Sequence, residues 1–178
     1  NSRREGILVS EAVVRPDGLL VDWKAVLWAG LVSGTVFLLL NLFVVPPLMD
    51  GNLWISVRLV ASIFMGQEIL APPATFHAGA LIACIVTHYL LAFLMTAVIA
   101  LVVHLGGLAT GILGGAILGF AFYFIAYYSF TYFFPQFFAI KHWSVIASHV
   151  VFGAIAGGLY EWLESDAYEL AQGELGGE

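Results

Sequence analysis

The chain has 178 residues, 61% of them hydrophobic and only 10% charged, with a formal net charge of -6. Soluble domains carry about 25% charged residues, so this composition excludes an ordinary soluble domain, and the lack of any basic stripe excludes a nucleic-acid-binding one. The acidity belongs to the ends of the chain: residues 69–140 hold no Asp, Glu, Lys or Arg, and half of the twelve acids lie from Glu161 onward.

Residues 1–24 form a polar N-terminal segment with four of the six basic residues, Arg3, Arg4, Arg15 and Lys24. RPDG at 15–18 reads as a turn, and Trp23 and Lys24 suit the headgroup level of a bilayer. A span needs about 20 apolar residues, and the first such run is AVLWAGLVSGTVFLLLNLFVV at about 25–45. Gly30 and Gly34 make a small pair four residues apart within it, Asn41 is its polar residue, and Pro46 and Pro47 are expected to end it. Within the loop that follows, residues 53–70 place apolar groups at 53, 57, 60, 63 and 64 on one helical face, with Arg58 and Gln67 away from it. That pattern predicts an amphipathic helix in the interface, ended by Pro72 and Pro73.

The second span is expected at about 76–104 and the third at about 107–134. Only a very short turn separates them, which predicts a tight antiparallel hairpin. The third span begins with Gly107, Gly111, Gly115 and Gly119 and ends in a block of Phe and Tyr, where Tyr123, Tyr127, Tyr128 and Tyr132 form two i, i+4 pairs. The fourth is expected at about 142–163, with Gly153 and Gly157. Residues 164–178 are acidic and glycine-rich, and are expected to be a poorly ordered tail unless a partner holds it. The fold class is therefore an all-α integral membrane protein, a four-helix transmembrane bundle over 25–163 with one interfacial helix.

Four spans leave both termini on one side. The clustered N-terminal cations put that side in the cytoplasm of a bacterial inner membrane, with the loops at 46–75 and 135–141 outside.

Chemistry at membrane depth has few carriers. Cys84 is the single cysteine and reads as a small buried residue, so no disulfide or cysteine-based metal site arises. Glu68, Glu161 and Glu164 fall at helix ends and read as solvated carboxylates. His77, His104 and His142 lie at span ends, where an interfacial structural role is expected. His88 and His149 lie inside. Helical rise puts them about 16 Å and about 10 Å below the outer surface, on helices that run in the same direction. Two inward histidines in a helix bundle can bond to neighbouring helices, or they can hold a haem b between them as axial ligands. No metal site is expected, because no span carries a carboxylate to complete one. The tyrosines read as packing and as an interfacial belt. No phosphate loop, nucleophile elbow or zinc-protease helix occurs, and the glycine ladders lack the strand–turn context of a nucleotide fingerprint.

The stretches GLVSG (30–34), FHAGALIACIVTHYLLAF (76–93), GILGGAILG (111–119) and SHVVFGAIAGGLYEWLE (148–164) together resemble the YagU-like group of small bacterial inner-membrane proteins. The resemblance implies a small-residue first helix, an outer segment and a final two-helix unit. It implies no catalytic residue.

The leading expectation is a non-enzymatic accessory subunit in the lipid bilayer. It would pack against other membrane protein subunits of a larger inner-membrane complex, respiratory and other electron-transfer complexes included, and would take no cofactor. The packing faces would be Gly30, Gly34, Gly107, Gly111, Gly115, Gly119, Gly153 and Gly157, which exceed the need of one small bundle. On this expectation, Gly115→Ile would release partners and leave the fold intact. The alternatives are a redox protein with haem b on His88 and His149, and a small transporter or channel. The last is opposed by the lack of any charged residue inside the spans.

Overall fold

The computed structural model describes residues 21–104 and 106–175, with side chains through Glu164. The turn read at 15–18 lies outside the described residues. Four helices are long and apolar enough to cross a membrane: α1 (Trp23–Leu48), α3 (Ala78–Val103), α4 (Leu108–Phe133) and α5, whose apolar part is Trp143–Glu164. A shorter apolar helix, α2 (Leu53–Met65), lies between α1 and α3. The chain is a multi-pass membrane protein, and no strand occurs among the described residues.

Each helix begins where its first backbone donors are satisfied. Asp22 caps α1 by accepting from the amides of Lys24 and Ala25, and Asn52 caps α2 in the same way at Trp54 and Ile55. His77 Nδ1 accepts from the Ala80 amide at the start of α3.

Two boundaries differ from the sequence reading. The first is at the prolines, which do not stop α1. The helix widens into a π turn at Leu40–Val44, and Pro46 and Pro47 then sit in its last turn, Val45–Leu48. A proline has no amide to donate and crowds the carbonyl four residues earlier; a widened turn accommodates both faults. The second concerns the acidic tail. The last helix continues through it, from Trp143 to Leu175. Residues 161–172 contain Glu, Leu, Ala and Gln, which favour helix, and no proline.

The short helix expected after the first span is present as α2, and part of its apolar face packs inside the chain. The side of α2 that packs holds Val57 and Ala61, against Ala80 and Cys84 of α3, with Leu53 and Val60 of the expected apolar face beside them, while Phe64 of that face is 67% exposed. Arg58 does turn away from that contact. It clamps the following loop by donating to the carbonyls of Ile69, Ala71 and Thr75.

The spans do not form four equal sides. Helices α1, α3 and α5 each contact the other two, and α4 lies along α5. The shared core holds Ala25, Ala29, Ala92, Ile99, Phe152, Ala156 and Tyr160. The apolar stretch of α5 is 56% buried, against 22–28% for the other three spans, so α5 is the central helix. The tight α3–α4 hairpin is therefore only a short connection. In space the main neighbour of α4 is α5, because the glycines, and not the length of the turn, decide which backbones meet.

That contact is backbone on backbone. A Cβ added to Gly111 would stand 2.5 Å from the Gly157 carbonyl oxygen. One on Gly115 would fall onto the Gly153 carbonyl, and one on Gly119 onto that of His149. The reverse holds for Gly153 and Gly157, which face Gly115 and Gly111. On α1, Gly30 receives the ring of Phe93 and Gly34 faces Ala92 and Tyr89. Gly107 is a correction: its φ is 77° and nothing lies within 4 Å of it, so it shapes the turn before α4 and packs against no helix. The seven other glycines are consumed inside the chain, and the surplus that motivated the partner-binding expectation does not exist.

Gly115→Ile is accordingly expected to abolish the folded monomer, because the neighbour it meets is a carbonyl that cannot move aside. Gly114→Ala, which meets only the Val103 side chain at 3.1 Å, is expected to keep it. Size-exclusion profiles and thermal unfolding in mild detergent distinguish the two; a monodisperse Gly115→Ile protein with unchanged Tm contradicts the packing described.

Candidate functional site

Two polar groupings lie within the bundle, one at mid-depth and one at the end that carries the start of α1.

The mid-depth grouping contains both inward histidines. Close approach of α1 and α3 at Gly34 leaves the Gly34 carbonyl 2.8 Å from His88 Nε2. A carbonyl only accepts, so Nε2–H is the donor. On α5, His149 Nδ1 lies 2.8 Å from the Val145 carbonyl, one turn back on its own helix, and donates in the same sense. The ring of Phe37 stands between the two histidines, stacked on His88 with centroids 5.4 Å apart and edge-on to His149 at 4.7 Å. Tyr123 closes the other side of His149 at 5.6 Å. Next to this layer the π turn of α1 carries Asn41, whose Nδ2 donates to the Phe37 carbonyl at 2.8 Å and to Ser148 Oγ at 3.3 Å.

The sequence therefore brings the two histidines into one layer, but not as a ligand pair. A haem placed between them would need the volume that Phe37 fills, and His88 Nε2 is already engaged by a carbonyl. The residues present do not fit that group. Among the described residues no group of His, Cys, Asp or Glu could hold a metal ion. The two tyrosine pairs separate by face: Tyr123 and Tyr127 are buried, Tyr128 and Tyr132 exposed. Cys84 is buried, as its surroundings imply.

The second grouping was missed. Glu161 and Glu164, read as solvated, are 5% and 4% exposed. Glu164 Oε1 lies 2.8 Å from His104 Nδ1 and accepts from the Tyr160 hydroxyl at 3.1 Å, while that hydroxyl is itself 2.8 Å from His104 Nδ1. The three groups close a triangle between the end of α3 and the inner face of α5. Glu161 has a different task. Its Oε2 accepts from the Gly107 amide at 2.7 Å and its Oε1 from the Gly106 amide at 3.4 Å. Gly107 has no side chain to cap α4, so a carboxylate from α5 caps it across the helix contact, where the N-terminal dipole favours negative charge.

The sequence did hold a signal for this grouping. Four spans put the end of α3 beside the lower half of α5, and Tyr160 and Glu164 are four apart on one helical face. The place of Glu161 and Glu164 at the end of the last apolar run suggests solvated carboxylates instead.

Two buried polar atoms among the described residues have no hydrogen-bond partner, Thr96 Oγ1 and His104 Nε2. Thr96 lies deep in the α1–α3 contact, where its hydroxyl faces Gly30. At the opposite end, Gln136 bridges Ser62 and Gln67, at 2.9 and 3.0 Å, and ties the α4–α5 connection to α2. His142 Nδ1 and Ser144 Oγ, 2.7 Å apart, open α5.

No family model, no curated protein and no solved structure matches this chain.

Two substitutions check the reading of these groups by their effect on Tm. Glu161→Ala leaves the Gly107 donor without its charged acceptor and is expected to destabilise by about 2 kcal/mol. Thr96→Val removes an unpaired hydroxyl at nearly constant shape and is expected to be neutral or mildly stabilising. A neutral Glu161→Ala or a strongly destabilising Thr96→Val contradicts the bonding pattern given.

Proposed function

We propose that this protein is a non-enzymatic accessory subunit of a larger assembly in a bacterial inner membrane, with both termini in the cytoplasm, and that it meets its partners through the outer face of α4. The single observation that carries this reading is that α4 rests on α5 and offers its remaining surface outward. Along that surface Phe120, Phe124, Tyr128 and Tyr132 recur at every fourth residue, 48%, 37%, 66% and 81% exposed.

Two further observations support it. The hydroxyls of Tyr128 and Tyr132 make no hydrogen bond among the described residues, so they are free to bond across a protein contact. Apart from Thr96 Oγ1 and His104 Nε2, the buried polar side chains among the described residues form caps or bond to carbonyls and each other, an arrangement suited to closing a bundle. The cations support this orientation: Arg3, Arg4, Arg15 and Lys24 precede or open α1, and Arg58 and Lys141 belong to the other end of the bundle. The stretches that resemble the YagU-like group coincide with helix contact faces, so the resemblance bears on packing and adds no activity.

Photo-crosslinking in cells tests this reading. A benzophenone side chain in place of Phe124 or Tyr132 is expected to capture a defined membrane protein, and one in place of Ile82 or Leu90, exposed on α3, is expected to capture lipid only. Lipid-only adducts from the α4 positions, or the same protein captured from both helices, overturn the assignment of that face.

A further inference from the structure

The first turns of α1 carry a cation in an unfavourable place. A lysine near a helix N-terminus opposes the dipole, yet Lys24 stands there, beside an Asp22 carboxylate committed to capping. Among the described residues the Lys24 ammonium has no carboxylate partner. It is also the only Lys or Arg among them at this end of the bundle, since Arg58 and Lys141 belong to the other.

Lys24 lines an open groove of about 290 Å³ together with Leu27, Trp28 and Leu31 of α1 and Phe93 of α3. Gly30 makes the groove possible. The Phe93 ring enters the notch left by its missing side chain, where an added Cβ would stand 2.6 Å from the ring, and so forms the wall opposite Leu27 and Leu31. Apart from Lys24, every residue that lines the groove is apolar or aromatic. Trp28 is 61% exposed one turn further into the span, and Trp23 is 59% exposed at its very start. These are positions that indole rings take at the bilayer interface. A cation at the interface, a tryptophan below it and an apolar channel running inward match the three parts of a phospholipid in order: phosphate, glycerol and acyl chain.

We propose that this α1–α3 groove is a binding site for one anionic phospholipid. Lys24 takes the phosphate, Trp28 flanks the glycerol region, and an acyl chain lies on Leu27, Leu31 and Phe93. Among the described residues no carboxylate pairs with the Lys24 ammonium, and the lipid phosphate would take that place.

The test places the full chain in nanodiscs of equimolar phosphatidylglycerol and phosphatidylcholine. The lipid that stays bound is read by native mass spectrometry. The unmodified chain is expected to retain phosphatidylglycerol in preference to phosphatidylcholine. Lys24→Gln is expected to lower that preference about fivefold, the effect of one interfacial cation on an anionic lipid. Leu31→Trp, which fills the channel and keeps the charge, is expected to lower retention of both lipids. Lys141→Gln, at the far end, is expected to change neither. Retention in the bulk ratio by the unmodified chain, an unchanged preference in Lys24→Gln, undiminished retention in Leu31→Trp, or an equal loss in Lys141→Gln overturns the proposal.

Discussion

The α4–α5 contact is the constraint on which the rest of the structure depends. In a bilayer, apolar side chains gain nothing by leaving lipid for one another, so helices associate through close packing and directed contacts. Gly111, Gly115 and Gly119 against Gly153, Gly157 and the His149 carbonyl bring two backbones together where any side chain would collide. Approach at that range brings Cα–H groups against carbonyl oxygens, contacts that recur at such helix interfaces. With α4 held there, the opposite side of α5 is free to receive α1 and α3, which accounts for the central place of α5 and for Tyr160, Phe152 and Ala156 being fully buried on it.

The polar groups follow from this arrangement. Once α4 is pressed onto α5, its N-terminus lies against Glu161, and the amides of Gly106 and Gly107 find there the acceptor their own sequence lacks. The end of α3 arrives through the same short turn, which sets His104 against Tyr160 and Glu164. At the other end Gln136 and Arg58 hold the connecting loops to α2. The bundle is thus tied at both ends by side-chain bonds to backbone and to other side chains, with an aromatic layer of Phe37, His88, His149 and Tyr123 between them.

The spans were legible because lipid imposes helix on any long uncharged run, whatever its glycine content. All four lie where the apolar runs lie, and the glycines at fourfold spacing mark the faces where α4 and α5 meet. What composition could not tell was which faces meet each other. A glycine stripe reads the same whether its partner is the next helix or another protein, and here the partner of Gly115 is Gly153. The prolines misled because a widened turn ahead of Pro46 removes the clash that normally ends a helix. Glu161 and Glu164 misled because their burial depends on a turn 54 or more residues away, through Gly107 and His104. Phe37 was the least legible of all: no apolar pattern distinguishes a phenylalanine that separates two histidines from one that faces lipid.

On the proposal made above, this chain works as part of a larger membrane assembly. Isolation of the tagged native protein in a gentle detergent, with native sizing and mass spectrometry of the band, tests it most directly. Migration with defined larger subunits in a fixed ratio is the expected result. Migration alone, or as copies of this chain only, would contradict it.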